Sequence, residues 1–404
     1  MIINRYIDNY FLILFSIIPL SILVGASVSL INIILIDISF IILIIYKRHF
    51  GFLKDKTILY LLLLYIYLIF NSFISVDFNE SFSRNFGFIR IIILFAALNF
   101  FFLNEHFYKK VLKFWSLVIM IVLLDVFIEA FLGKNILGYD GKQYGKRIVS
   151  FFKDEPIVGG YLNGFYLIII GFLMNEFKNK NYLIIYLIMV FFISAILLTG
   201  ERSNTIRAFL GISFFVFFIR SISYKKKILF VVTTLLIFFF SISNYHYLKQ
   251  RFDKQIRTSL MMSKENVYYL LYNSGVQVFK DNKLLGVGNK NYRVEACKPE
   301  NKGKYVCNSH PHQIYLELLS EHGILGTLLI LFILYKLIFS KILTTLKQIN
   351  YLKLGSLIYI VITFTPIIPS GAFFGDFLIT IFCLNLSIFY ALDKKLNIFN
   401  NKSF

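Results

Sequence analysis

Long apolar stretches recur along nearly the whole chain, and short polar segments separate them. Examples are residues 57–70, 89–102, 182–198, 228–242 and 324–337. With its flanking residues, each stretch approaches the roughly 20 residues that a helix needs to cross a bilayer. Only helices and closed barrels satisfy their backbone groups in lipid, and continuous apolar stretches indicate helices. The pattern therefore predicts an all-α polytopic membrane protein built as one helical bundle.

The positions of the polar interruptions predict about twelve transmembrane helices. Their predicted starts are Phe11, Ile31, Ile58, Gly87, Val111, Ile157, Tyr182, Asn204, Lys227, Gly323, Leu354 and Phe373. The apolar stretch after Tyr10 continues to Tyr46 with few breaks, which favours a retained helical hairpin over a cleaved signal peptide. We expect residues 1–243 to hold transmembrane helices 1–9, residues 244–322 to form a large periplasmic loop with the catalytic motif, and residues 323–404 to hold helices 10–12 and a cytoplasmic tail.

The composition supports the prediction of a membrane protein, and the distribution of charge predicts its orientation in the membrane. Hydrophobic residues make up 58% of the 404 residues and charged residues 16%, and the mean hydropathy is +0.71. The net charge of +20 lies mostly in alternate short loops, as the positive-inside rule requires, which argues against nucleic-acid binding. These basic loops are 47–56, 109–113, 178–180, 225–227 and 341–353. Both termini are then cytoplasmic in a bacterial inner membrane, and the long segment 244–322 faces outward.

Three cysteines occur in the chain. Cys297 and Cys307 bracket a turn rich in Lys, Pro and Gly, and an oxidising outer compartment would permit a disulfide between them. Two free thiols are the alternative reading. Cys383 lies in the last predicted span, where a thiol is usually apolar filler.

The densest polar cluster is residues 308–313, which precedes a helical pattern. Proline favours the first turn of a helix, so Pro311 predicts that His312 lies in that turn, exposed at the membrane surface. A histidine there is a candidate general base, and a polar cap of a re-entering helix is the alternative. The spacing of His310, His312 and His322 lacks the i,i+4 pair of a helical zinc site, so we expect no metal.

Several arginines lie at predicted outer ends of spans, where an ionisable group usually faces a cavity or a partner. They are Arg90, Arg147, Arg202 and Arg207. Converging guanidinium groups would bind a diphosphate, whereas snorkelling to lipid headgroups is the alternative. Asp125 and Glu129 lie one helical turn apart, and we expect them to pair with these arginines as structural ion pairs rather than to act as an acid/base pair.

Four groups of residues carry a family resemblance. They are 199–203 (TGERS), 286–288 (GVG), 309–313 (SHPHQ) and 321–326 (EHGILG). With the predicted spans, they resemble the O-antigen ligase and O-antigen polymerase superfamily. In the ligases a His is followed by Asn, Ser or Gln and then by Gly after nine residues, and His312, Gln313 and Gly323 fit that motif.

The resemblance implies a C-type glycosyltransferase-like enzyme. Such an enzyme takes a glycan from undecaprenyl diphosphate on the periplasmic face, without metal or nucleotide cofactor, and transfers it to an acceptor hydroxyl of lipid A-core. His312 would be the base or orient the acceptor, and Arg202 would hold the donor diphosphate, with Arg147 as a further contact. Where many relatives carry a loop arginine this chain has Tyr268. Arg257 or Arg251 would then replace it.

Two other functions fit the same features. A polymerase joining lipid-linked repeat units shares the donor, the fold and the arginines. A lipid-linked glycan flippase or transporter would also have many spans with internal charges, but the chain shows no convincing internal repeat, and a long outward loop with a His-Pro-His start favours an enzyme.

Overall fold

The computed structural model describes residues 2–153, 155–177, 182–254, 266–347 and 350–400, and these residues fold almost entirely into helices. The first half of the bundle contains α1 (Ile2–Ser16), α2 (Ile18–Val24), α3 (Ala26–Lys47), α4 (Lys56–Phe73), α5 (Phe78–Gly87), α6 (Ile89–Phe101), α7 (Glu105–Leu132), α8 (Val158–Glu176) and α9 (Tyr182–Leu198). The second half contains α10 (Arg202–Phe218), α11 (Tyr224–Asn244), α12 (His246–Leu248), α13 (Val267–Asp281), α14 (Tyr292–Ala296), α15 (Ile314–Leu337), α16 (Ile342–Lys347), α17 (Tyr351–Thr363) and α18 (Asp376–Ala391). The expectation of an all-α membrane protein is confirmed.

Seven described helical stretches, one of which joins α5 and α6, are long and apolar enough to cross a membrane, and the bent pair α1–α2 would make an eighth. The helix of 28 residues that starts at Glu105 is among the longest of them, whereas α17, α18 and the stretch Leu183–Leu198 are apolar but shorter. Each predicted span start lies in a described helix or close to one. The count of twelve spans and the outward loop stay predictions.

Helix α8 is the centre of the bundle. Within its apolar stretch 83% of the residues are buried, because the helix is apolar on every side and packs against α7, α9, α10 and α17. At Gly171 a Cβ atom would lie 2.7 Å from the Leu352 Cα of α17, so only glycine allows this approach. The N-terminus of α8 is held separately, by hydrogen bonds from Gly159 N and Gly160 N to Glu201.

Helix α15 is broken at Gly323, where φ is 61° and ψ is −169°. The turn 283–289 lies across the break and supplies the missing backbone partners: Ile324 N donates to Lys283 O at 2.8 Å, and Val287 N donates to Ser320 O at 3.0 Å. A Cβ at Gly286 would lie 2.5 Å from the His322 nitrogen. The Gly-Val-Gly turn therefore stabilises the broken helix through backbone hydrogen bonds. The predicted span start at Gly323 coincides with the break.

The segment before α15 carries a small core of its own, formed by Val278, Val287, Tyr292, Ala296 and Tyr305. Within it the Tyr292 hydroxyl donates to Ser274 Oγ at 2.7 Å. Cys297 and Cys307 are joined in a disulfide that closes the adjacent turn. Of the two alternatives that the sequence allowed, a disulfide or two free thiols, the structure has the disulfide. Cys383 is a buried free thiol.

Candidate functional site

The described residues between α7 and α8, 133–153 and 155–157, which we call the outer loop after their predicted position, are held by two buried carboxylates of α7. Asp125 accepts from Ile136 N at 2.9 Å and from Ser150 Oγ at 2.5 Å. Glu129 accepts from Val149 N at 3.1 Å and from Ser150 N at 2.6 Å. The expected pairing of these carboxylates with arginines was wrong, because backbone donors of the outer loop take up their acceptor oxygens instead.

The turn 199–201 connects α9 to α10 and caps α8. Glu201 accepts from Gly159 N at 2.6 Å and from Gly160 N at 3.1 Å, which are otherwise unsatisfied donors of the first turn of α8. Asn204 Nδ2 donates to the same carboxylate at 2.7 Å. Burial raises the pKa of Glu201 to about 7, although these hydrogen bonds and the charge of Arg147 oppose the rise. A Cβ at Gly159 would lie 2.9 Å from the carboxylate, so the cap requires glycine there.

Three arginines converge on this turn from three parts of the chain. Arg251 donates to Gly200 O from Nε at 3.3 Å and from Nη2 at 3.2 Å. Burial lowers the pKa of Arg251, and the positive charges of Arg147 and Arg202 lower it further. Arg147 also lines a cavity of about 330 Å³ together with Lys142, Lys146 and Tyr247. The result is a cationic cluster of Arg147, Arg202 and Arg251 beside a basic cavity.

Tyr268 connects the cationic cluster to the histidines. The Arg202 guanidinium carbon lies 5.7 Å from the centre of the Tyr268 ring, and that ring lies 6.4 Å from the ring of His312, edge to face. The rings of His312 and His310 are 4.0 Å apart. Tyr268 is thus placed between the cationic cluster and the histidine pair.

His312 precedes α15 instead of lying in its first turn, so that expectation was wrong. The helix starts at Ile314, and the side chain of Gln313 caps it by accepting from Leu316 N at 2.8 Å. His312 adopts a left-handed φ of 57°, which costs about 1–3 kcal/mol for a residue with a side chain. Its carbonyl accepts from Ser370 N at 2.9 Å, and its imidazole is half-buried rather than exposed. A contact from a distant segment therefore sets the orientation of His312.

The segment 364–375 between α17 and α18 supports both histidines. Ser370 O lies 3.2 Å from His310 Nε2, and Glu317 of α15 accepts from Phe373 N at 2.9 Å. Arg207 donates to Pro369 O at 2.9 Å and to Ile368 O at 3.2 Å. Two N–H groups of Arg207 therefore bind the protein's own carbonyls, and the side chain is 7% exposed.

The structure does not bring every predicted site residue together. Arg90 and Arg84 both pair with Asp376 at the start of α18, and Arg90 lines a different cavity from that beside Arg147. Arg257 lies outside the described residues. Among the side chains that the structure describes, no group of three His, Cys, Asp or Glu residues is arranged to hold a metal ion.

Comparison with protein families relates this arrangement to a known group. Residues 187–331 match the O-antigen ligase family. The resemblance seen in the sequence is confirmed over this range, which includes Arg202, Tyr268 and His312 and leaves Arg90 and Arg147 outside. Comparison with curated proteins gives no match. The O-antigen ligase match and the apolar helices indicate a bacterial membrane protein with ligase-type or polymerase-type glycosyltransferase activity.

Sequence reasoning missed two groups at the candidate site. Glu201 is adjacent to Arg202, and the pair Gly159-Gly160 at a predicted helix start was the available signal for its capping role. The second group is Ser370, and nothing in its neighbourhood in the sequence indicated contact with two histidines. A contact between residues 312 and 370 depends on the packing of the bundle and has no local pattern.

The contacts of Arg207 predict a positioning role instead of donor binding. We expect Arg207→Gln to lower kcat about 10-fold and to leave the KM for the donor unchanged, because loss of hydrogen bonds from a charged group, about 1.5–3 kcal/mol, loosens the segment that holds His312. Steady-state kinetics of the purified variant measure both constants. A raised donor KM at unchanged kcat would instead place Arg207 on the donor.

The surroundings of His310 and His312 predict how the reaction rate changes as the pH falls. Burial and the neighbouring His312 lower the pKa of His310 to about 4, and burial also lowers the pKa of His312 from its ordinary value of 6.5. A lowered pKa keeps the imidazole neutral, and able to accept a proton, below the usual range. We therefore expect the protonation of His312 to lower kcat/KM only below pH 6.5, separately from any change near pH 7 that Glu201 causes. An inflection above 6.5 that is present in Glu201→Gln and absent in His312→Asn would contradict this environment for His312.

Proposed function

We propose that this protein is an O-antigen ligase-type glycosyltransferase that moves a glycan from undecaprenyl diphosphate to a hydroxyl of lipid A-core on the periplasmic face. The observation that carries the proposal is the adjacency of the cationic cluster to His312, with Tyr268 lying against both Arg202 and the imidazole. The cluster suits an anionic donor, and the histidine suits an acceptor hydroxyl. The match of residues 187–331 to O-antigen ligases supports the same assignment.

The cationic cluster acts on the leaving group in this proposal. Arg202 binds the diphosphate of the donor, while Arg147 adds charge from the outer loop and Arg251 adds charge from the turn at Gly200 that it holds. Guanidinium groups bind phosphate oxygens through paired N–H groups, and the partial burial of Arg251 strengthens the attraction because water screens it less. The negative charge that develops on the departing diphosphate is thereby stabilised where it forms.

His312 acts on the acceptor. One nitrogen of its neutral imidazole accepts the hydroxyl proton while the hydroxyl oxygen forms a bond to the anomeric carbon of the donor sugar. The bond from that carbon to the diphosphate oxygen breaks, and undecaprenyl diphosphate leaves with the electron pair. Positioned general-base catalysis of this kind contributes about 10²–10⁴-fold to the rate, and the left-handed turn held by Ser370 keeps the imidazole in place.

Gel electrophoresis of lipopolysaccharide tests this assignment against its closest alternative. A strain lacking the gene is complemented with the wild-type gene or an empty vector. We expect the empty vector to give uncapped lipid A-core together with accumulated long lipid-linked polymer, and the wild-type gene to restore long capped chains. If single-repeat caps persist while long chains are lost, the protein is a polymerase; an unchanged glycan profile contradicts both functions.

A further inference from the structure

The outer loop separates two cavities on the same end of the bundle. Its residues Asp140, Lys142 and Arg147 line the basic cavity of about 330 Å³. Its residues Tyr139, Phe151–Phe152 and Glu155 line another cavity of about 390 Å³, which α2, α3 and the start of α18 complete. We call the latter the hairpin cavity, because the turn between α2 and α3 forms one wall.

The hairpin cavity is richer in aromatic side chains than the basic cavity beside Arg147, whose aromatic lining residues are Tyr245 and Tyr247. Four aromatic side chains line the hairpin cavity: Tyr139, Phe151, Phe152 and Phe377. Charged groups of both signs, Arg90, Lys153, Glu155 and Asp376, lie among these rings. Aromatic faces pack against the C–H faces of sugars, and carboxylates and guanidinium groups bond to sugar hydroxyls. This combination suits a saccharide better than an isolated diphosphate.

Exposed apolar side chains border the hairpin cavity. Two of its lining residues, Val24 and Leu30, are 64% and 37% exposed, and they lie on helices that precede and follow the turn at Gly25. Exposed apolar side chains at this position contact acyl chains in a membrane. A ligand with a sugar head and a lipid tail can therefore reach the cavity from the side.

One turn of α8 lies between the hairpin cavity and the cationic cluster. A Cβ at Gly160 would lie 3.7 Å from Phe377 of the hairpin cavity and 3.1 Å from Asn204 Nδ2. Asn204 in turn donates to Glu201 at 2.7 Å, next to Arg202. The two cavities are thus neighbours, as two substrates of one transfer reaction must be.

We propose that the hairpin cavity binds the saccharide head of the lipid-anchored acceptor, while the cationic cluster and the basic cavity bind the donor. The proposal rests on the glycosyltransferase function proposed above and assigns the acceptor a site of its own. Arg90 and its partner Asp376 then contact acceptor sugar and not donor diphosphate. The outer loop keeps the two lipids apart until their sugar heads meet near His312.

Cavity-filling variants test the acceptor site by steady-state kinetics with purified protein. Ala26→Phe and Ser29→Phe each add a ring to the lining of the hairpin cavity. Ile31→Phe is the matched control, because Ile31 is on the same helix, is 59% exposed and does not line the cavity. The donor is undecaprenyl-diphosphate-linked glycan, and the acceptor is lipid A-core from the deletion strain or the lipid-linked repeat unit, whichever the wild type uses.

We expect both filling variants to raise the acceptor KM at least 10-fold while the donor KM and the Ile31→Phe control stay at wild-type values. Two variants are used because buried Ser29 carries a greater folding risk than exposed Ala26. An unchanged acceptor KM in folded Ala26→Phe, or a raised donor KM, overturns the acceptor assignment and leaves the glycosyltransferase proposal standing. If the wild type transfers glycan to neither acceptor, the proposed function itself fails.

Discussion

His312→Ala abolishes glycan transfer, with an expected loss of about 10²–10⁴-fold in kcat, because the variant has no group to accept the hydroxyl proton. The donor KM stays near the wild-type value, since the side chain does not belong to the cationic cluster. The measurement is transfer by purified protein from lipid-diphosphate-linked glycan to acceptor. Full activity in this variant would remove His312 from the mechanism.

The left-handed backbone at His312 requires a second variant. Asparagine tolerates φ of 57° better than alanine does, but it lacks a basic nitrogen. We expect His312→Asn to be as inactive as His312→Ala while unfolding at the wild-type temperature. His106→Ala is the matched control, because His106 is exposed in the first turn of α7, at the opposite end of that helix from the outer loop. Recovery of activity in His312→Asn would show that the backbone conformation matters and the imidazole does not.

Arg202→Ala raises the donor KM about 10- to 150-fold, which corresponds to the 1.5–3 kcal/mol that a hydrogen bond to a charged group contributes. Arg202→Lys recovers only part of this loss, because an ammonium group keeps the charge but not the paired N–H groups. Titration with undecaprenyl-diphosphate-linked glycan measures the effect. The acceptor KM stays unchanged in both variants.

A matched substitution separates donor binding from the general effect of positive charge. Arg293 is exposed in α14 and does not line the basic cavity, so Arg293→Ala removes the same charge outside the cationic cluster. We expect that variant to keep the wild-type donor KM. Equal KM increases in Arg202→Ala and Arg293→Ala would mean that surface charge alone attracts the donor.

The helices were predictable from the sequence because each apolar stretch is a local signal, whereas the geometry around His312 was not. The residue type and its neighbours identified a candidate base. Its position before the helix depends on the cap made by Gln313 and on Ser370, which is distant along the chain. The preference of proline for the first turn of a helix is a local effect, so it gives no information about that tertiary contact.

The arginines show the same division between local and long-range information. Arg202 and Arg207 are five positions apart, which places them about 140° apart around a helix with 3.6 residues per turn. Their divergence in α10 was therefore available from the sequence. The convergence of Arg147 and Arg251 on the turn at Gly200 was not, because it depends on how Asp125 and Glu129 hold the outer loop.

The most direct test of the proposed function follows release of the lipid carrier by the purified protein in detergent. Wild-type protein or His312→Ala is incubated with undecaprenyl-diphosphate-linked glycan and lipid A-core, and undecaprenyl diphosphate and glycosylated lipid A-core are both quantified by mass spectrometry. We expect equimolar formation of both products by the wild type, and formation at no more than about one-hundredth of that rate by His312→Ala. Formation of both products at the wild-type rate by His312→Ala, or by neither protein, would contradict this prediction.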